Sequence, residues 1–240
     1  MWRVWAIVAL VVLGGIPATA RAETWTIVCE DQYPPYNFIK DGVKTGLDTE
    51  IVQAVLARIG VEEDLQVFPW SRALNMLENG AADVLYQVVG TPERRERFIL
   101  VGPLRSGRTV LAARAESDIA YQSLDDLKPY NIGVVRAFKY TAEFDDAPLN
   151  KVLSNDNQTL VHMLVGKHLD LIVGDYNTLT YIARSQGVLD QIKVLPLPLG
   201  EVPRYVAFPK DRRDKAERFR QGLEALRANG ALDKILRRWE

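Results

Sequence analysis

Cysteine and histidine are nearly absent from this chain, and their scarcity removes several classes of function at once. The 240 residues contain one cysteine, Cys29, and two histidines, His162 and His168. A lone cysteine excludes an intramolecular disulfide, so burial alone must hold the fold. Cys29 lies in the apolar-alternating stretch TWTIVCE, which predicts a core thiol, not a reactive one. The two histidines fall within or just after one predicted helix at a spacing that is not a metal signature. There is no glycine-rich phosphate loop and no serine or cysteine nucleophile motif with a plausible base. No metal and no cofactor is expected. Charge of one sign is lacking as well: 30 Lys and Arg face 31 Asp and Glu, a net charge of −1, so nothing suggests a nucleic-acid surface.

Long hydrophobic runs are missing, with one exception. Arg3 supplies a positive start, Trp5 to Ile16 is apolar, and Ala20-Arg21-Ala22 is a small-x-small cleavage pattern, together the marks of a cleaved export signal over residues 1–22. The run is shorter than the ~20 apolar residues of a spanning helix, and Pro17 ends it. Cleavage before Glu23 leaves 218 residues with 28 basic and 31 acidic groups, a free periplasmic protein. Cys29 is too far from the apolar run to carry a lipid. A chain of this size buries roughly 70% of its unfolded surface, enough for one large domain or two smaller lobes without staples.

Strand-like and helix-like segments then alternate, which argues an α/β protein with mainly parallel sheets. Thr24 to Cys29 reads as a strand, GLDTEIVQAVLARIG as an amphipathic helix ending near Gly60, Leu65 to Phe68 as a strand, WSRALNMLENG as a helix and Asp83 to Val89 as a third strand, a βαβαβ unit. A second series follows, with NIGVVR and DLIVGD as buried strands and NQTLVHMLVGK as a helix that Gly166 stops. RTVLAAR and IKVLPLPL lie between and after the two series and suit paired crossovers between two lobes. The tail places Phe219, Leu223 and Leu226 at helical spacing and is expected to pack back on the first lobe.

In order along the chain stand PPYNF, GLDTEIVQAV, PWSRALNMLENGAADV, TPERRERFILVGP, GKHLDLIVGD and the ending VAFPKD…LRANGALDKILRRW. Each is weak alone, but the whole series resembles the family 3 extracellular solute-binding proteins, the polar-amino-acid receptors of ABC importers. The resemblance implies a two-lobed Venus-flytrap fold, with residues 23–110 plus 198–240 as lobe one and residues 111–197, hinge strands included, as lobe two. It also implies a small-molecule ligand, an ABC permease as partner and a monomer.

A zwitterionic amino acid needs a fixed cation for its carboxylate and a fixed anion for its ammonium. Arginine suits the first, because its planar fork grips both oxygens. In Thr91-Pro92-Glu93-Arg94-Arg95-Glu96-Arg97, Arg94 matches the family's carboxylate-binding arginine, while its charged neighbours read as a solvated helix face. Asp175, ending the apolar strand DLIVGD, resembles the family's acid for the α-ammonium; capping the following helix is its other reading. Tyr33 matches a position lining the cleft, whereas Tyr36 and Phe38 read as packing. Trp70, opening a helix after Pro69, suits either a cleft wall or the core. Thr91 and Gln87 flank the end of the third strand and could offer a hydroxyl and an amide.

One segment departs from the family pattern. Where a glycine with Ser or Thr commonly opens a helix N-terminus, this chain has VVRAFKYTAEF, so Arg136, Phe138, Lys139 and Tyr140 replace small residues. A second anionic group on the ligand, met by Arg136 or Lys139, is the corresponding expectation. Two rival functions share the scaffold. Cyclohexadienyl dehydratases resemble these receptors and add a general acid to the pocket, and a sensor partner would read the same lobe closure in place of a permease. Without an assignable acid beyond Asp175, binding is expected and catalysis is not.

Overall fold

The computed structural model describes residues 23–239; the leader assigned above lies outside the described residues. The first strand, β1 (Thr24–Glu30), buries nearly every residue after Thr24 and is followed by a small antiparallel meander, β2 (Gln32–Tyr33), β3 (Asn37–Lys40) and β4 (Val43–Thr45). Gly46 then opens α1 (Leu47–Ile59) with φ of 130°, and a Cβ there would stand 2.2 Å from the Tyr36 carbonyl oxygen. Only glycine can make that entry. The helix returns to β5 (Glu62–Phe68), α2 (Trp70–Glu78) and β6 (Val84–Val89), so that β5, β1 and β6 lie side by side and parallel.

After α3 (Pro92–Arg97) the chain runs into β7 (Phe98–Arg114), 17 residues long, or roughly 55 Å of extended chain. The second series comprises β8 (Ile132–Val135), α4 (Ala142–Asp146), β9 (Lys151–Ser154), α5 (Asn157–Val165), β10 (Leu171–Asp175) and α6 (Tyr176–Ser185). Here β10, β8 and β9 form a second parallel set. A short β11 (Ile192–Val194) pairs with the end of β7, and β12 (Gly200–Pro209) returns to the first set. Strand order across the whole sheet is β5-β1-β6-β12-β7-β10-β8-β9, with β11 also on β7. Thr109 of β7 pairs with Gly200 of β12 and with Asp175 of β10, which marks the crossing point between lobes. The chain ends in α7 (Arg213–Ala228) and α8 (Ala231–Arg238), whose Phe219, Leu223 and Leu232 join the core around α1 in lobe one.

The return crossover differs from the expected segment. IKVLPLPL contributes only Ile192–Val194 as strand, and the return is made by GEVPRYVAFP. Pro196 and Pro198 lack the N–H that a ladder between two neighbours requires, so pairing cannot continue through them. RTVLAAR is the far end of β7, as its apolar run implied.

Two buried ionisable groups stand out in lobe one. Asp48, in the first turn of α1, takes a bidentate pair from Arg105 of β7 at 2.7 and 2.9 Å, with both side chains withdrawn from solvent. The pair fixes the crossing strand to α1, and the guanidinium also lies against the Tyr36 ring, 3.1 Å from its centroid. Burial alone would lower the Arg105 pKa, but the Asp48 carboxylate reverses that and raises it. Glu30, at the end of β1, has no such partner for Oε2. Burial pushes its carboxyl well above the usual carboxylate range, and Asp31 and Asp156 push it the same way. Burial likewise raises the Cys29 thiol to about 12, in keeping with a core cysteine.

Asp48→Asn leaves Arg105 buried without a counter-charge, which costs about 3–5 kcal/mol; calorimetry should show the midpoint falling by roughly 6–20 °C. The double variant Asp48→Leu/Arg105→Met should recover most of that loss. For Glu30, the raised folded-state pKa means that stability is fully present below the unfolded value and is lost as pH rises toward the folded one. Glu30→Gln should therefore melt close to wild type at pH 4 and progressively above it from pH 5 to 8. Parallel melting curves across that range would deny the assignment.

Candidate functional site

The cleft is built from the end of β6. Opposite Val206 of β12, β6 places two residues, Tyr86 and Gln87, because Val88 pairs with Tyr205 and Leu85 with Ala207. This bulge holds Gln87 at φ of 72°, buried, with Oε1 unpartnered. A residue held left-handed inside a strand costs energy, and such strain gathers at sites where a side chain must be re-aimed. Three residues after β6, Thr91 caps α3 by accepting from the Arg94 N–H at 3.2 Å, and Pro92 supplies the first helical residue. The cap turns one side of a six-residue helix inward, so Arg94 is buried while Arg95, Glu96 and Arg97 are exposed.

Arg94 is 5% exposed, and its acceptors are backbone carbonyls: Val89 at 3.3 Å and, from the opposite lobe, Ala137 at 3.0 Å. Burial lowers its pKa to about 10, with Glu93 opposing and Arg204 adding to the drop. Trp70 Nε1 donates to the same Ala137 oxygen at 3.0 Å, and the Trp70 ring lies 5.5 Å from the Arg94 guanidinium carbon. Ala137 reaches across because it adopts φ of 61° after β8. The next residue, Phe138, sits edge-on to both Tyr33 and Trp70, at 5.9 and 5.6 Å between ring centroids. Tyr33, Trp70, Gln87, Val89 and Arg94 of lobe one and Phe138 and Lys139 of lobe two, with Arg204 of the return strand, line a partly open cavity of about 10 Å³. That is room for one water. A larger ligand reaching Arg94 from this side must displace the Ala137 carbonyl and the Phe138 ring.

The residues singled out from sequence separate into two groups. Arg94, Tyr33, Trp70 and Gln87 share the cavity wall. Thr91 stands behind it as the α3 cap, and the other two are elsewhere. Arg136 is exposed, and its backbone N–H bonds to Ser154; the left-handed turn at Ala137 sends the following residues, not Arg136, into the cleft. No helix opens at this turn, since α4 begins later, capped by Thr141. Tyr140 is a core residue whose phenol oxygen accepts from the Val135 N–H at 2.9 Å. Asp175 is not brought to Arg94. Its Oδ1 caps α6 through the N–H groups of Asn177 and Thr178 at 3.0 and 3.3 Å and accepts the Tyr36 hydroxyl at 3.0 Å. Its buried Oδ2 has no partner and lies over Gly107, where a Cβ would approach it to 2.3 Å.

Sequence reasoning missed Arg204. Its signal was present, because Val202, Arg204, Val206 and Phe208 occupy the buried phase of one alternating strand, where an arginine needs a reason to be. Tyr36 and Phe38 also bridge the lobes: the Tyr36 hydroxyl donates to Asp175, and the Phe38 ring lies tilted against Tyr181 of α6 at 5.5 Å between centroids. Together with Gln158 donating to Gln32, they join the lobes beside the cavity.

Three likenesses bear on what this arrangement is. The chain is 26% identical over 212 residues to a probable amino-acid-binding protein, YxeM, of Bacillus subtilis, covering 84% of this chain and 78% of that one. A histidine kinase sensor domain similar to periplasmic binding proteins superposes with a TM-score of 0.84 at 23% identity, over 91% of this chain and 96% of its own. An ancestral arginine-binding protein bound to glutamine gives a TM-score of 0.82 at 20% identity, over 91% and 98% of the two chains. At those identities the two structures speak for the two-lobed fold alone. Over residues 25–240 the sequence matches the pattern of one family, and the chain belongs to the bacterial extracellular solute-binding proteins, family 3.

Proposed function

We propose that this chain captures an amino acid or a close derivative between its lobes and delivers it to an ABC importer in the inner membrane. The observation that carries the reading is Arg94: a buried guanidinium at a cleft wall, bonded only to backbone carbonyls, one of them presented by the other lobe. A ligand carboxylate makes charge-assisted, bidentate bonds that a single amide carbonyl cannot match, so it takes Arg94 from Ala137. Trp70 and Tyr33 then cover the planar and apolar parts of the ligand, and Gln87 offers its free oxygen. Thr91 acts through the α3 cap, and Asp175 through Tyr36, as a fastening between lobes 23–110 plus 198–240 and 111–197. Opening exchanges these cross-cleft contacts for water, and a ligand that touches both lobes favours closure by its extra contacts there.

Relatives named for amino-acid binding support the class of ligand, and the cavity wall holds no carboxyl group to serve as a general acid. We place the chain among binders, exported to the periplasm by residues 1–22 and acting as a monomer. No helix among the described residues is long and apolar enough to cross a membrane.

Unfolding, removal of co-purified ligand and refolding, followed by calorimetric titration with the amino acids, tests the proposal. At 100 times its dissociation constant a true ligand adds ~2.7 kcal/mol, a rise of roughly 5–11 °C in midpoint. Arg94→Ala should weaken that ligand by about 30-fold or more while the unliganded variant still melts cooperatively. An unaltered affinity would remove Arg94 from the site, and no binding by any amino acid or derivative would overturn the proposal.

A further inference from the structure

Arg204 of β12 stands directly opposite Arg105 of β7 in the antiparallel register, so the two guanidinium side chains leave the same face of the sheet. Like charges so placed repel. Arg105 is relieved by its bidentate bond to Asp48. Arg204 has no such relief: it is 4% exposed, donates only to the Val202 carbonyl at 3.3 Å and the Tyr33 phenol oxygen at 3.5 Å, and forms no ion pair among the described residues. Arg94 lines the same cavity in the same condition. Lys139, half-buried, adds a third cation to the wall, again without an ion pair among the described residues. The same lining includes Gln87, whose Oε1 is an unsatisfied acceptor.

Two guanidinium groups withdrawn from water around one small cavity are costly unless an anion meets each. A ligand with a single carboxylate satisfies Arg94 and leaves Arg204 exposed to the same penalty. From the convergence of Arg94, Arg204 and Lys139 on one cavity whose lining holds no acid, we propose that the ligand is dianionic in its acid groups: an acidic amino acid or a dicarboxylate, with one carboxylate on Arg94 and the second on Arg204 beside Lys139. Gln87 Oε1 is the place for one N–H of the ammonium that an acidic amino acid brings. The inference rests on the receptor reading above and narrows it. It also moves the second anion site from Arg136, which the turn at Ala137 leaves in solvent, to the return strand.

The test is calorimetric titration of the refolded protein with L-glutamate, L-aspartate, glutarate, succinate, L-glutamine and L-arginine. A diacid should bind at least about tenfold more tightly than the neutral and cationic amino acids, the discrimination expected of a desolvated ion pair. In Arg204→Met the preference for L-glutamate over L-glutamine should collapse, while the melting point of the unliganded variant holds or rises because a buried unpaired charge is gone. If L-glutamine or L-arginine is preferred by the wild type, the inference fails and the receptor reading stands. Tight binding of glutarate or succinate with none of the amino acids would uphold the dianionic site and overturn the amino-acid reading. Binding of none of the six overturns the inference, whether or not Arg204→Met folds. A melting point that falls sharply, with the ligand preference intact, assigns Arg204 a structural role and also overturns it.

Discussion

Everything in this molecule hangs on the hydrogen-bonded ladder between β7 and β12. It runs from Phe98–Pro209 in one lobe to Thr109–Gly200 at the edge of the other, broken once by a register shift between Arg204 and Val206, so neither lobe can be placed without the other's strands. Backbone pairing has no freedom to slide without turning every side chain over. That is why the charged residues along it, Arg105 and Arg204, can be set at fixed positions within the protein interior. The same ladder brings Gly107 under Asp175, where the lack of a side chain lets a lobe-two carboxylate settle against a lobe-one strand.

The cleft above that ladder is electrostatically one-sided. Asp48 answers Arg105 and the Asp175 Oδ1 is taken by helix N–H groups and a phenol, while Glu30 is driven toward its neutral form by burial. Asp145, close enough to act on Arg94 and Lys139, takes the Tyr140 N–H, so the acids nearby are engaged in the scaffold and the cations of the wall form no ion pair among the described residues. The Ala137 carbonyl takes a bond from Arg94, and the Phe138 ring lies against Trp70 beside it. On the proposed reading these groups would compete with the ligand, and the affinity the guanidinium groups offer would be reduced by what the loop gives up on leaving.

Much of this could be read before the structure was in hand, and the boundary has a physical cause. Regular elements announce themselves by period, so β1, α1, β6 and β10 lie where their apolar spacing put them; Arg94 was singled out by its match to the family's motif after a strand, and the structure buries it at the cleft wall. What escaped depends on departures from period. The bulge at Tyr86 and Gln87 changes the parity of β6, and β6 is buried on both faces, so alternation carried no information there. A left-handed Ala137 is not foreseeable from its residue type, yet it decides that Phe138 and Lys139 face the cleft and Arg136 does not. Asp175 matched the family's ligand acid, with a helix cap as its other reading; the structure shows the cap, and only tertiary contact could show that Tyr36 would claim the same oxygen. The proline pair at Pro196 and Pro198, by contrast, was in plain view and argues against the strand assigned there.

The solitary cysteine has a use that its inertness conceals. Cys29 lies in the middle of the lobe-one core with its thiol raised to about 12, and a thiolate is required for alkylation. Reagent can reach it only when β1 separates from its neighbours. With no second sulfhydryl in the chain to confuse the signal, the rate of labelling becomes a clock for the breathing of that lobe, readable on the native sequence without an engineered probe.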